Sequence, residues 1–147
     1  AAAAVKYAND HGRSVYADVI RWEQSKKERI VYEDAHVIAI TPYASQNAYE
    51  LWILPKSDTA TFAALTNVER HAIAVVLKRA TAFLDKQTIS YNFFLQDAVQ
   101  HEQQRFLLKL EPRKGVWAGL ELATGVYINS VSPEQACKEY RAFFNAA

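Results

Sequence analysis

Methionine is absent from this sequence, and cysteine, glycine and proline are scarce. The 147 residues include one cysteine, four glycines and four prolines. The lone Cys137 cannot form an internal disulfide, and we expect a buried side chain there rather than a reactive thiol. The glycines at 12, 115, 119 and 125 do not form a glycine-rich phosphate loop. The missing initiator methionine and the opening Ala1–Ala4 run indicate part of a longer product, and this run is left out of the fold prediction.

Neither sign of charge is in excess. Lysine and arginine number 17 against 16 aspartates and glutamates, which gives a net charge of +1. The chain therefore lacks the broad basic field that nucleic-acid binding requires. Its apolar stretches are short and interrupted, so no membrane-spanning segment is predicted, and no secretory leader opens the sequence. With a single cysteine, which suits a reducing compartment, these absences favour a cytoplasmic protein that binds neither nucleic acid nor membrane.

The residues that are present suffice for a hydrophobic core. Apolar residues make up 50% of the chain and charged residues 22%, a composition typical of a globular domain rather than a disordered segment. Residues 5–147 are predicted to form one domain.

Apolar spacing and capping residues predict the order of helices and strands. Helices are expected from Ser14 to about Lys27, from a cap at Asn67 to about Lys86, and from a cap at Ser132 onward. Strands are expected at 29–32, 37–40, 49–54, 89–95 and 106–110, with a last short strand at 127–129.

Groups of strands separated by helices favour an α+β fold with an antiparallel sheet of about five strands and flanking helices. The long helix from Val68 is expected on one face of that sheet. Its apolar stripe and the strand faces containing Trp52, Phe93 and Phe106 are expected to form one core.

The titratable residues do not predict a self-contained active site. None of the four histidines lies at metal-ligand spacing from another, and only His101, in a polar loop, is kept as a ligand candidate. No GxSxG motif is present, and the carboxylates are scattered. No metal site is predicted in this chain.

The segment from Leu110 to Asn129 is the most informative part of the sequence. Arg113 and Lys114 follow a strand that ends at Pro112, and three of the four glycines fall within the next eleven residues. Basic side chains beside accessible backbone amides make a phosphate site. The alternative is a glycine-rich turn between a strand and a short helix, with the basic pair in solvent.

At this segment the chain resembles the C-terminal domain of galactose-1-phosphate uridylyltransferases and their relatives, a two-domain branch of the histidine-triad nucleotidyltransferases. The resemblance covers residues 12–143. The matching residues are Pro42, Tyr49, Glu50, Pro55, Lys56, Pro112, Arg113, Gly119, Glu121, Gly125, Ile128, Asn129, Pro133, Glu134 and Arg141.

The resemblance implies two histidine-triad-like halves in each full subunit. The N-terminal half carries a His-Pro-His motif whose histidine takes a nucleoside monophosphate from a nucleotide sugar and passes it to a sugar phosphate. The C-terminal half supports the fold and contacts the nucleotide sugar, in some members across a dimer interface. It implies no cofactor in this half, and it leaves room for a structural metal in the other.

Several departures from the family separate this chain from a catalytic half. The family usually has His-x-His on the strand before Pro-Arg, where this sequence has Arg105 and Leu107. A histidine often follows the Pro-Lys step, where this sequence has Asp58. No catalytic residue is therefore expected here. Substrate binding is expected from Lys114, of the basic pair, and from Gly119, Glu121 and Asn129, which match the family.

Two functions remain open from the sequence. The first is the non-nucleophilic half of a nucleotidyltransferase that acts on a nucleotide sugar and a sugar 1-phosphate, as a homodimer or with a partner chain carrying His-Pro-His. The second is a degenerate, non-catalytic domain that serves as an interaction or scaffold subunit, which the lost histidines favour.

Overall fold

An antiparallel sheet with helices on both faces forms the frame of the molecule. The structure is a computed structural model that describes residues 2–97, 105–115 and 118–146. Its helices are α1 (Ala2–His11), α2 (Val15–Lys26), α3 (Asn67–Lys86), α4 (Gly119–Thr124) and α5 (Pro133–Ala146). Its strands are β1 (Ile30–Glu33), β2 (Val37–Ile40), β3 (Leu51–Pro55), β4 (Tyr91–Gln96) and β5 (Leu107–Pro112).

The strands lie in the order β1-β2-β3-β5-β4, and every neighbouring pair is antiparallel. β5 enters between β3 and β4, with Leu51 opposite Leu110 and Phe93 opposite the same Leu110. Within the described ranges this is a five-stranded antiparallel sheet with flanking helices, which confirms the predicted α+β class.

The long helix α3 begins one residue earlier than the sequence indicated. Thr66 is its N-cap: the hydroxyl accepts the N–H of Glu69 at 3.2 Å, and the Glu69 carboxylate accepts the N–H of Thr66 at 2.8 Å. This reciprocal pair satisfies two backbone donors that a helix start leaves free, which is why Thr66 takes the cap rather than Asn67. The stripe containing Ile73, Val76, Ala80, Phe83 and Leu84 is buried against β2 and β3, as expected.

The expectation of one core containing Trp52, Phe93 and Phe106 is wrong. Two clusters lie on opposite faces of the sheet: Leu51, Ile53 and Phe106 pack beneath α3 and α5, while Trp52 and Leu54 pack toward α2. Alternate residues of a strand point to opposite faces, so Trp52 cannot share a core with Leu51.

Phe93 lies in neither cluster and is 51% exposed. It stands on β4, the last strand of the described sheet, beyond the area that α3 covers.

The short strand predicted at 127–129 is also wrong. Residues 126–129 have irregular backbone, and Val126, Tyr127 and Ile128 are exposed. β-branched and aromatic residues favour a strand only where a neighbouring strand and a packed face receive them. The final helix does begin at Pro133, as predicted. None of the helices in the described part of the chain combines the length and the apolarity that crossing a bilayer requires.

The cap assignment gives a direct stability test. Replacing Thr66 with Ala should lower the free energy of unfolding by about 1 kcal/mol, because it removes the acceptor for the Glu69 N–H. Replacing the adjacent Asn67 with Ala should shift it by less than about 0.5 kcal/mol. Urea unfolding followed by circular dichroism measures both, and a larger loss for Asn67→Ala would contradict the assignment.

Candidate functional site

The predicted binding segment leaves the sheet where β5 ends and β3 begins. At this end, the loop of residues 42–50 enters β3, and Lys114 lies above it. The Lys114 Nζ is 4.7 Å from the centre of the Tyr49 ring and 3.4 Å from its hydroxyl oxygen. An ammonium over an aromatic face is held by the ring quadrupole, so Tyr49 positions the Lys114 charge.

Tyr49 is fixed by contacts to two helices. Its ring packs edge-on against Phe83 of α3 and Tyr140 of α5, and its carbonyl accepts the buried Tyr140 hydroxyl at 3.0 Å. Its own hydroxyl donates to Glu139 Oε2 at 2.8 Å. Burial, and then the bond to Glu139, raises the pKa of Tyr49 to about 12, so the phenol stays protonated and remains a donor.

The backbone at Tyr49 has φ of +65°, which is uncommon for a bulky residue. Such a conformation persists only where the surroundings determine it, and it often marks a functional position. Here the buried ring and the Tyr140 bond impose it. The turn into β3 is therefore held in one geometry beneath Lys114.

Glu50 holds the rest of this loop in place. Its Oε1 accepts the indole N–H of Trp52 at 2.8 Å, and its Oε2 accepts the backbone N–H of Gln46 at 2.8 Å. Glu50 is 6% exposed, so these bonds compensate the cost of a buried carboxylate.

Gly119 and Glu121 lie on the six-residue helix α4. Oε2 of Glu121 accepts the N–H of Ala118 at 3.1 Å, which caps the start of this helix locally. A Cβ added at Gly119 would meet no atom of the described chain within 4 Å, so local packing does not require glycine there. No residue of α4 is buried, and Leu120 and Leu122 are exposed.

The side chain of Asn129 holds the 42–50 loop in place. Its side-chain amide donates to Ser45 Oγ at 2.8 Å and to the carbonyls of Ser45 and Asn47 at 3.3 and 3.4 Å. Its Oδ1 accepts the N–H of Val131 at 3.0 Å. Lys114 and Asn129 thus contact the same 42–50 loop, whereas Gly119 and Glu121 lie on the exposed helix between them.

A buried guanidinium lies at one of the positions where the resemblance implies a histidine. Arg105 is 5% exposed, and its Nη2 donates to the carbonyls of Pro55 at 3.1 Å, Lys56 at 2.7 Å and Ser57. Its Nε lies 3.2 Å from the exposed Asp58 carboxylate, though without hydrogen-bond geometry. Burial lowers the pKa of Arg105, and Asp58 opposes that effect.

This donor set does not suit a metal ion. The two positions of the usual His-x-His hold Arg105 and the fully buried Leu107, and only Asp58 among the three replacements is a metal ligand. Among the described residues no cluster of His, Cys, Asp and Glu could hold an ion. His11, His36 and His71 are exposed, and His101 lies outside the described residues.

A cleft that the sequence did not predict lies on the α2 face of the sheet. It has a volume of about 910 Å³ and runs between α2 and the start of the 42–50 loop. Aromatic rings form much of its lining, from Tyr7, Trp22, Tyr43 and Trp52. These rings come from four separate segments, so only the folded chain brings them together.

A buried ion pair also lines this cleft. Arg29 donates through Nε and Nη2 to Glu23 Oε1 at 3.1 and 3.0 Å, and through Nη1 to Glu134 Oε1 at 2.9 Å. Burial opposes the Arg29 charge, but the bonds that Arg29 donates to Glu134 and Glu23 outweigh it and raise the pKa of Arg29. These bonds fix α2 and α5 to the start of β1, and the 105-residue separation of Arg29 and Glu134 hid that contact from pattern reading.

Comparison with known sequences identifies relatives of the chain. A sequence model described as the C-terminal domain of galactose-1-phosphate uridyl transferase matches residues 2–104. The galactose-1-phosphate uridylyltransferase of Thermotoga maritima is 32% identical over 133 residues, which cover 81% of this chain and 42% of that protein. The ADP-glucose phosphorylase of Arabidopsis thaliana is 28% identical over 127 residues, which cover 81% of this chain and 36% of that protein. This chain therefore spans well under half of either relative.

Comparison with solved structures gives the fold. A structure described as a uridylyltransferase mutant superposes with a TM-score of 0.85 at 18% identity, over 98% of this chain and 51% of that one. A zinc-bound histidine triad family protein from Mycobacterium smegmatis superposes with a TM-score of 0.59 at 18% identity, over 81% of this chain and 84% of that one. At these identities the likeness shows the fold alone, and it confirms the expected histidine-triad-like architecture.

The Arg105 bonds predict a large stability effect. Arg105→Met should lower the free energy of unfolding by roughly 2–4 kcal/mol, since it leaves buried carbonyls without their charged donor. Asp58→Ala should cost less than about 1 kcal/mol, because that carboxylate is 85% exposed. Chemical denaturation of both variants measures the difference, and equal losses would mean that the ion pair rather than the carbonyl contacts carries the stability.

Glu134 predicts a defined acid dependence. The hydrogen bond from Arg29 lowers the pKa of Glu134 below its ordinary value of 4.5. Because the folded-state pKa is depressed, the ionised carboxylate stabilises the protein above pH 4.5. This contribution is lost as the pH falls through the folded-state pKa. Glu134→Gln should therefore flatten the acid limb of a stability–pH curve. Glu28→Gln should flatten that limb less, because the Glu28 carboxylate is 3.6 Å from the same guanidinium. Identical limbs for all three proteins would contradict the assignment.

Proposed function

Because the chain belongs to the galactose-1-phosphate uridylyltransferase family, whose C-terminal domain it matches, we propose that it is the non-nucleophilic half of a nucleotidyltransferase. That enzyme transfers a nucleoside monophosphate, uridylyl in this proposal, between a nucleotide sugar and a sugar 1-phosphate. The nucleophilic histidine belongs to another half, on the same chain, on a partner chain or across a homodimer. The proposed setting is the cytoplasm.

The position of Lys114 is the observation that carries this proposal. Its ammonium is held at the exposed end of the sheet by the Tyr49 ring, at 4.7 Å from the ring centre. A fixed, exposed cation beside a segment with three glycines suits a phosphate group of the substrate. The hydroxyl of Tyr49 is directed to Glu139 and stays protonated, so the ammonium faces no phenolate.

The other proposed substrate contacts have different roles. Gly119 has open space around its α-carbon, which lets a ligand approach the backbone closely. Glu121 has two carboxylate oxygens, and Oε2 is the one that accepts the Ala118 N–H, so Oε1 is proposed to accept a sugar or ribose hydroxyl. Asn129 acts indirectly, because its amide holds the 42–50 loop through Ser45.

The substrate class is proposed from the names of the relatives. The Thermotoga relative is a galactose-1-phosphate uridylyltransferase, and the Arabidopsis relative is an ADP-glucose phosphorylase. Both names describe chemistry on a nucleotide sugar or a sugar phosphate, while the bases differ. A titration with several nucleotide sugars is therefore needed to identify the base.

A scaffold or interaction subunit is the second candidate function. It is favoured by Arg105, whose carbonyl contacts replace the usual histidines with a purely structural group. Reading the gene upstream of Val5 separates the two functions. Roughly 170 further residues containing His-Pro-His, on the domain sizes expected for two halves, support the enzyme; a start codon near Val5 supports the scaffold.

Two substitutions test the proposed contacts in the full-length gene product. Glu121→Gln keeps an acceptor for the Ala118 N–H and removes the charge, and Lys114→Met keeps an apolar stem on Tyr49 and removes the ammonium. Each should weaken nucleotide-sugar binding about tenfold, as expected for the loss of one charged hydrogen bond, and should shift stability by less than about 0.5 kcal/mol. Isothermal titration and thermal melting measure the two quantities.

The opposite pattern would contradict this site. An unchanged affinity with a lowered melting temperature would mean that Glu121 only caps α4 and that Lys114 only packs on Tyr49. The exposed Lys78 on α3 provides a matched control, and Lys78→Met should change neither quantity.

A further inference from the structure

The cleft on the α2 face of the sheet lies apart from the proposed substrate site. Lys114 is held by Tyr49, which belongs to the core on the α3 side, whereas the cleft is lined from α2 and from Trp52 on the opposite face. Its volume of about 910 Å³ is in the range of clefts that bind small organic molecules. The cleft therefore has room for a ligand that the proposed function does not involve.

Two aromatic walls of the cleft are held in place by polar and ring contacts. The Tyr7 hydroxyl donates to Asp18 Oδ2 at 2.7 Å. The Trp52 ring meets the Tyr16 ring edge-on at 6.0 Å between centres, and its indole N–H donates to Glu50. Rings that are already fixed lose little freedom when a ligand packs against them, which favours binding.

The other two rings of the lining are open to solvent and attract cations. Trp22 is 58% exposed and Tyr43 is 77% exposed, so a ligand can reach both. The Lys26 ammonium lies 5.0 Å from the centre of the Trp22 ring, and the Arg29 guanidinium lies 5.2 Å from that of Tyr43. Aromatic faces attract positive charge, and they also stack on other aromatic rings. The lining therefore suits a ligand that combines an aromatic ring with a cation.

Carboxylates outnumber cations at the Arg29 end of the cleft. Oxygens of Glu23, Glu134 and Glu28 lie 3.0, 2.9 and 3.6 Å from the Arg29 guanidinium. Three carboxylates around one guanidinium leave two negative charges, of which the Lys26 ammonium over Trp22 can balance one. Asp18 adds no further charge, because it is paired with two other cations, Arg13 and Arg21. This end of the cleft therefore favours a positively charged ligand over an anion.

Glu23 has a hydrogen-bond acceptor that the described residues leave unused. The residue is 2% exposed and lines the cleft. Its Oε1 accepts both bonds from Arg29, whereas its Oε2 is buried without a hydrogen-bond partner in the described part of the chain. Buried carboxylate oxygens are normally hydrogen-bonded, because burial without a partner costs free energy. A ligand in the cleft that carries an N–H group would satisfy Oε2.

We propose that this cleft binds an aromatic amine, a molecule with an aromatic ring and a protonated amino group. The ring would pack among Trp22, Tyr43 and Trp52, and the ammonium would donate to Oε2 of Glu23. A nucleotide sugar does not meet these requirements, because its phosphates would bring further negative charge beside the carboxylates. The ligand of this site thus differs in class from the substrates of the proposed function.

Isothermal titration of the full-length gene product with matched probes tests both features of the ligand. Tryptamine has the ring and the ammonium, indolepropionate has the same ring with a carboxylate instead, and butylamine has the ammonium without the ring. Tryptamine should bind at one site per chain, and each of the other probes should bind at least tenfold more weakly. Failure of tryptamine to bind, or equally tight binding of either other probe, would overturn the proposal.

Substitutions in the same protein locate the bound tryptamine. Trp22→Leu removes an exposed ring, and Glu23→Gln keeps an acceptor for Arg29 while it replaces the unused oxygen with a donor. Each should weaken tryptamine binding at least tenfold. Phe62→Leu is the matched control, because Phe62 is 37% exposed and has a guanidinium over its ring at 5.9 Å, but packs on Phe106 on the other face of the sheet. This control should leave the affinity unchanged.

Glu28→Gln keeps the test valid where thermal melting shows that Glu23→Gln does not fold. The Glu28 side chain is 60% exposed, so its replacement should preserve the fold and weaken tryptamine binding about threefold through the lost charge. Equal affinities of the Trp22→Leu and Phe62→Leu proteins, or no effect of Glu28→Gln, would overturn the proposal. Displacement of tryptamine by a nucleotide sugar would also overturn it, because the cleft would then belong to the substrate site.

Discussion

The contacts of Tyr49 connect the core beneath the sheet to the proposed binding site around Lys114. Its ring packs between Phe83 of α3 and Tyr140 of α5, so it belongs to the core beneath the sheet. Its outer face and hydroxyl hold Lys114, so it also belongs to the proposed site. Tyr49 has a left-handed backbone conformation, and the contacts of its buried ring hold it there at the start of β3. A change in the helix packing would therefore move the Lys114 charge.

Arg105 has a structural role at a position where the resemblance implies a histidine. Its guanidinium donates to three successive carbonyls, of Pro55, Lys56 and Ser57, and so fixes the chain just after β3. The guanidinium organises this stretch through charge-assisted hydrogen bonds.

The sequence predicted the elements that depend on local periodicity and missed those that depend on distant partners. The α3 stripe and the strands β1 to β3 follow from residues within each segment. The Thr66 cap was misplaced by one residue because Asn67 is an equally good capping residue, and only the returning Glu69 carboxylate decides between them. Phe93 looked like core because its strand is aromatic, and its exposure depends on which strand ends the sheet.

The contacts of the site residues illustrate the same limit. The side-chain amide of Asn129, a predicted substrate-binding residue, donates to Ser45, a contact across 84 residues that no local pattern reveals.

The two exposed regions of the chain have a common physical explanation. α4 and the residues that follow it carry Leu120, Leu122, Val126 and Ile128 in solvent, and β4 carries Phe93 to Leu95 in solvent. Removing such side chains from water is worth about 25 cal/mol for each Å² of apolar surface, which strongly favours covering them. Neither region is needed to close the core that the described residues already form. Lys114 stands just before α4, so a domain that covers these surfaces would also enclose the Lys114 ammonium of the proposed site. Enclosure lowers the local dielectric and would strengthen the attraction between that ammonium and the phosphate group that is proposed to bind there.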